Sequence, residues 1–196
     1  MCPRPKEFDP DKALDAAMKL FWRKGYEATS VQDLVEAMGI NRFSLYDTYG
    51  DKHSLYLQAC EKYRNRMESR LIRQLEQSES GLAGIHRFFH ELEDWYSPKQ
   101  ARRGCMMVNS IVEKAPDDVQ IRRHGQKFLK RLESAFEASL RRASSAGEIG
   151  TKTNPVELAQ FLTGQVQAVG VVGKAFADRN RVRTVIRVAL NSLTQG

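Results

Sequence analysis

The sequence predicts an all-α protein with an N-terminal three-helix, helix-turn-helix unit joined to a larger helical body. Three observations carry this. No alternating apolar–polar run extends beyond a few residues, apolar positions recur at spacings of three and four, and turn residues cut the chain into helix-sized pieces. The 196 residues, 41% of them hydrophobic, suffice for one large domain or for a small one fused to a larger. The expected boundary separates residues 1–50 from residues 51–196.

The elements follow in order. Asp9-Pro10 opens the first helix, whose apolar set is Ala13, Leu14, Ala17, Leu20 and Phe21, and Gly25 stops it. Thr29 or Ser30 caps the second helix, with Val31, Leu34, Val35 and Met38 inward and Gly39 as the stop. Asn41 caps a short third helix containing Leu45. Asp51 starts a long fourth helix reaching about Gln77. Leu82, Ile85, Phe89 and Leu92 mark the fifth, and a basic loop follows from Ser97-Pro98. A short helix near Gly104–Lys114 comes next, then a long one from Asp118 to about Ala143. Two last helices span about 155–175 and 178–194.

Composition excludes several classes. Mean hydropathy is −0.52 and 28% of residues are charged, the balance of a soluble protein. No apolar run approaches the roughly 18 residues needed to cross a bilayer. The first eight residues contain no apolar stretch of the kind a secretory signal needs. Cys2, Cys60 and Cys105 are too few for a disulfide framework and lack zinc-finger spacing, so a reducing cytoplasmic setting is expected. No nucleophile–base–orienter set, phosphate loop or dense ligand cluster is present, so neither an enzyme nor a cofactor is predicted. His86, His90 and Glu93 have a spacing that can hold a metal, but they sit one position off the apolar stripe and are read as its polar edge.

The formal net charge of +7 suits a polyanionic partner. Its distribution does not locate that partner, because residues 1–55 hold eight Lys/Arg against nine Asp/Glu. Local arrangement decides instead. Gly39-Ile40-Asn41 joins two short helices by a turn of helix-turn-helix length, with glycine supplying the positive φ. The helix after it presents Arg42, Phe43, Ser44, Tyr46 and Thr48. A helix this short can enter the major groove, where Arg42 can bind guanine with two donors or grip a phosphate. Thr29, Ser30, Asn41, Tyr49 and Lys52 complete the candidate DNA contacts, the helix starts at Ser30 and Asp51-Lys52 offering N–H groups to phosphates. Phe43 can touch a thymine methyl or pack against Tyr46 or Tyr49. The competing reading of the segment is a three-helix packing module that touches no DNA.

The stretch TSVQDLVEAMGINRFSLYDTYGDKHSLY resembles the signature of the TetR/AcrR family of bacterial regulators, through Thr29, Leu34, Ala37, Gly39-Ile40, Leu45-Tyr46, Tyr49, Lys52 and Leu55. AGEIGTKTNPVELAQFL, Ala146 to Leu162, is similar to the loop and helix that open the family's dimerisation region. The resemblance implies about nine helices, a homodimer, and ligand-regulated affinity for a palindromic double-stranded DNA operator. Three positions depart from it. Phe43 stands where many members have a small residue, Thr48 where many have histidine, and His53 where glutamate is frequent. These departures bear on the operator sequence, not on the mode of binding.

A ligand-released repressor needs a sensing site, and a small organic effector is expected. Candidate pocket residues are Phe89, Trp95, Tyr96, Cys105, Met106, Asn109, Phe128 and Gln165. Aromatics at helical spacing also read as plain core. Cys105, after Arg102-Arg103 and near a helix start, has two features that favour thiolate, so a redox or electrophile sensor on the same scaffold is the alternative. The bland reading is a small buried apolar residue. For the dimer surface, Gly164, Ala168, Val171, Val172 and Ala175 form one small apolar face and Val182, Val185, Ile186, Ala189, Leu190 and Leu193 another, each in part serving the subunit's own core. Paired with the same helices of a second copy, they would make a four-helix interface. The last helices' arginines and those of the fourth helix are read as solvated faces.

Overall fold

A computed structural model describes residues 8–96, 102–150 and 154–193; Cys2 and the loop from Ser97 to Ala101 lie outside them. The described residues form nine helices and no strand, counting as one the long helix that passes through a π-helical stretch.

Most helix starts follow from local chemistry. The Asp9 carboxylate accepts the N–H groups of Asp11 and Lys12, with Pro10 in the first turn, and so starts α1 (Pro10–Lys24). Ser30 and Asp33 form a reciprocal capping box at α2 (Val31–Met38). Asn41 accepts the Ser44 N–H at α3 (Arg42–Tyr49). Asp51 accepts the Ser54 N–H at the start of α4 (Lys52–Met67). The α4 axis continues through Glu68–Ile72 as a π-helix and ends as Arg73–Gln77.

The π stretch is the one feature of α4 that the single-helix expectation lacks, and it has a physical cause. Leu55, Ala59, Tyr63, Met67, Leu71 and Leu75 are all buried, a strict period of four. An α-helix turns every 3.6 residues, so such a stripe winds away from the core. One wider turn, with an extra residue, partly offsets that drift.

The body continues with α5 (Gly81–Trp95), α6 (Met106–Lys114), α7 (Val119–Ser145), α8 (Pro155–Phe176) and α9 (Arg179–Asn191). Phe88, Phe89 and Phe136 form the aromatic centre where α5 meets α7, at ring separations of 4.9–5.8 Å. A Cβ added to Gly81 would lie 2.0 Å from the Ser139 carbonyl oxygen, so only glycine permits this approach.

The N-terminal unit is fastened to the body mainly through α4, along which α1 packs, with Lys62 paired to Asp11 and Arg66 to Asp15; α6, the residues just before it and Asp118 add polar bonds to α1, α4 and the α1–α2 loop. The Trp22 indole N–H donates to the Gly104 carbonyl at 3.0 Å. The two Glu113 oxygens accept the N–H groups of Tyr26 at 3.0 Å and Glu27 at 2.9 Å. Lys114 pairs with Glu27, and the Tyr56 hydroxyl lies 2.7 Å from that of Ser110. Beyond α6, His53 meets Asp118 at 2.6 Å. Burial pushes the Asp118 carboxyl up, but the Ile121 N–H and His53 outweigh it and hold the group below its ordinary value.

Candidate nucleic-acid interface

The turn between α2 and α3 is made by Gly39, left-handed at φ 66°, and the Ile40 N–H closes it on the Val35 carbonyl. Two inward anchors then orient α3. Leu45 is fully buried, and the buried Tyr49 ring ends in a hydroxyl that donates to the Pro10 carbonyl at 2.7 Å. With that side pinned, Arg42, Phe43 and Tyr46 face outward, Phe43 at 79% exposure. An apolar ring left so open serves no packing within the chain, which removes the packing reading of Phe43. Among the described residues the Arg42 guanidinium hydrogen-bonds only to the Gln32 side-chain oxygen, at 3.3 Å, so its fork is free to turn outward.

Several predicted contacts take other roles. Thr29 is completely buried and its hydroxyl donates to the Gly25 carbonyl at 2.6 Å, so it fastens the α1–α2 corner instead of offering a side chain to DNA. Tyr49 is likewise an anchor. At the α2 start, the Ser30 N–H and hydroxyl both donate to the Asp33 carboxylate, which also accepts Lys24 at 2.8 Å. The Lys24 bond, followed by the Ser30 bonds, brings the Asp33 carboxyl down to about 2. That helix end therefore already holds an anion, and the predicted Ser30 phosphate contact is corrected accordingly. Asn41 caps α3 by accepting the Ser44 N–H, and among the described residues the Thr48 hydroxyl is buried without a hydrogen-bond partner. Lys52 lies with its ammonium 4.3 Å from the centre of the Tyr26 ring, beside the start of α4.

The body redistributes the other candidates. Phe89, Tyr96, Met106 and Phe128 are buried in the core, and Trp95 stacks on Trp22 at 6.0 Å. Gln165 is half-buried on α8. Of the predicted pocket residues only Asn109 lines the cleft found between α1, α6 and α8; Phe89, Tyr96, Met106 and Phe128 are taken up in the core. Cys105 sits at the N-cap of α6, as expected, but burial pushes its thiol up despite the N–H groups of Val108 and Met107. The Tyr63 hydroxyl donates to its sulfur at 3.6 Å. The expectation of a lowered thiol is thereby corrected: desolvation outweighs the helix start. Cys60 is pushed up to about 11 for the same reason. Glu93 is committed to Arg179 and Arg183, at 3.2 and 2.9 Å. On α8, Gly164 faces open space, with Ala168 and Val172 half-buried beside it. Val185 is half-buried on α9, whereas Ile186 and Ala189 are buried within the subunit against neighbouring helices and leave the predicted outer face. Phe161, Phe176 and Val188 are exposed there instead.

A short helix after a tight glycine turn, pinned by two inward anchors and offering an arginine and two aromatics, is the arrangement of a helix-turn-helix DNA-binding unit. Residues 13–59 match the family model for bacterial regulatory proteins of the tetR family, and residues 81–189 match that for the tetracyclin repressor-like C-terminal domain. The HTH-type transcriptional regulator YezE of Bacillus subtilis (strain 168) is 35% identical over 97% of this chain and 98% of its own. The HTH-type transcriptional repressor ComR of Escherichia coli (strain K12) is 31% identical over 95% of this chain and 90% of its own. A cysteine-substituted form of the TetR family regulator CifR, complexed with 26-bp operator DNA, matches at a TM-score of 0.87 and 28% identity, covering 97% of this chain and 100% of that one. The chain belongs to the TetR family of bacterial transcriptional regulators. Among the described residues no helix is long and apolar enough to cross a membrane.

Proposed function

We propose that this regulator is a cytoplasmic repressor that binds a palindromic operator as a homodimer and is released by a small organic effector. The observation that carries the reading is the outward edge of α3, Arg42, Phe43 and Tyr46, on a helix fixed by Leu45 and Tyr49. Arg42 supplies base-edge donors, Phe43 an apolar contact for a thymine methyl, and Ser44 and Lys52 flank the backbone. The exposed apolar residues of α8 and α9, with Gly164, Ala168, Val172 and Val185, supply the two-fold surface. The repressor sense follows the name of ComR, and operator binding follows the CifR complex. Residues 1–50 act as the reading head and residues 51–196 as the body that sets its spacing.

Selection from random-sequence duplexes tests the reading. The expected product is a two-fold symmetric site whose affinity falls with salt by about −0.9 log units per neutralised phosphate and log unit of salt. Arg42→Ala should relax base preference, and Lys52→Ala should weaken all sequences alike. Selected sites without symmetry, or an Arg42→Ala protein with unchanged preference, would refute it. The sensor alternative through Cys105 predicts loss of DNA binding on oxidation that Cys105→Ser abolishes.

A further inference from the structure

A cleft of about 590 Å³ separates the end of α1 from α6 and α8. Its volume is that of small-molecule sites. We propose that it binds a small amphipathic organic anion, a carboxylate or sulfonate on an apolar body, and that occupancy changes how the helix-turn-helix unit is held. This rests on the effector-released reading and gives that effector a place and a chemistry.

The walls argue for an apolar body. Val108, Val112 and Val171 line the cleft, Val112 at 74% and Val171 at 54% exposure, so apolar surface is open to a guest there. The rim argues for an anion. Arg23, Lys24 and Lys174 all line it. Lys24 is matched by Asp33, but Lys174 rests on the neutral Asn109 side-chain oxygen at 2.9 Å. Among the described residues Arg23 has no ion-pair partner. Among the described residues one acidic residue, Glu113, lines it, with its oxygens turned to the Tyr26 and Glu27 N–H groups. With Lys24 matched by Asp33 and the Glu113 charge set against Arg23 and Lys174, the lining keeps a net excess of one positive charge beside apolar walls.

The same walls connect to DNA binding. Trp22 lines the cleft and hydrogen-bonds to Gly104, and Glu113 lines it and fastens the α1–α2 loop. A guest between α1 and α6 presses on the bonds that tie α1 and the α1–α2 loop to the body, and so on the unit that carries α3. Coupling then needs no cavity inside the body.

Calorimetric titration of the full-length protein with 2-naphthoate, octanoate and the neutral 2-naphthylmethanol tests the site without DNA. One saturable site per chain is expected for at least one of the two anions, with weaker binding of the alcohol. Lys174→Glu should weaken the anion about tenfold or more, the scale of one charged hydrogen bond. Val112→Asp should do the same from the apolar wall. Both positions are exposed, and unchanged thermal unfolding of the variants separates lost binding from lost folding. Adding the anion to the protein on its selected duplex should shift DNA affinity about fivefold or more. No saturable anion binding, or binding indifferent to Lys174→Glu, overturns the site. Binding with unchanged DNA affinity overturns the regulatory half. Failure to bind any duplex specifically sinks the repressor reading alone, since the titration is read without DNA.

Discussion

Helices α3 and α6 are nearly the same length, eight and nine residues, yet they spend their residues differently. On α3 only Leu45 and Tyr49 are buried, and the first turn looks outward. On α6, Met106, Met107 and Ser110 are buried, and the last turn, Glu113 and Lys114, is committed to the neighbouring loop. The difference separates two jobs. The outer side of α3 can change to read a new sequence at almost no cost in folding. A change on α6 disturbs the core and the seat of the reading head together.

The largest effect that sharpens this contrast should come from the inner side of α3. Leu45→Ala removes a fully buried side chain and should destabilise the protein by about 2–5 kcal/mol. Denaturant unfolding measures it, and a loss under 1 kcal/mol would show that α3 is not pinned as described. Glu113→Ala comes next. It leaves two N–H groups without their carboxylate, so about 1–3 kcal/mol should be lost, together with DNA affinity, although the residue is remote from α3. Unchanged operator affinity in that variant would break the link between α6 and the reading head.

A smaller effect appears on acidification. The Asp33 carboxyl is depressed from 3.8 to about 2, so its contribution is complete above about pH 4 and is lost as pH falls toward 2. Asp33→Asn should flatten that part of the pH–stability curve, as thermal unfolding at stepped pH will show. Smallest of all is Phe43→Ala, expected to change stability by no more than about 0.5 kcal/mol while reducing operator affinity. A large loss of stability there would mean that the ring packs after all.

The ends of α1 to α4 were legible because caps are local: Asp9, Ser30, Asn41 and Asp51 each bond two or three residues ahead. The π stretch was also written in the sequence, as the period of four from Leu55 to Leu75, but reads as ordinary helix unless the spacing is measured against 3.6. The apolar face of α9 was legible as a face. Periodicity does not say what covers it, and Ile186 and Ala189 prove to be covered from within. The cleft was not legible. It joins residues 22–25 to 108–113 and 170–175, and only the folded chain brings these together. Cys105 misled for a related reason: its flanking residues are local, whereas its burial is not.

The stacking of Trp22 on Trp95 has an optical consequence. These are the only two tryptophans in the chain, one on α1 and one at the end of α5, with ring centres 6.0 Å apart and planes 19° from parallel. Indoles so close couple their excited states, and the sign and size of the resulting circular dichroism depend on their mutual angle. The protein thus carries a native gauge across the junction between reading head and body, able to report tilting of one against the other without any added label.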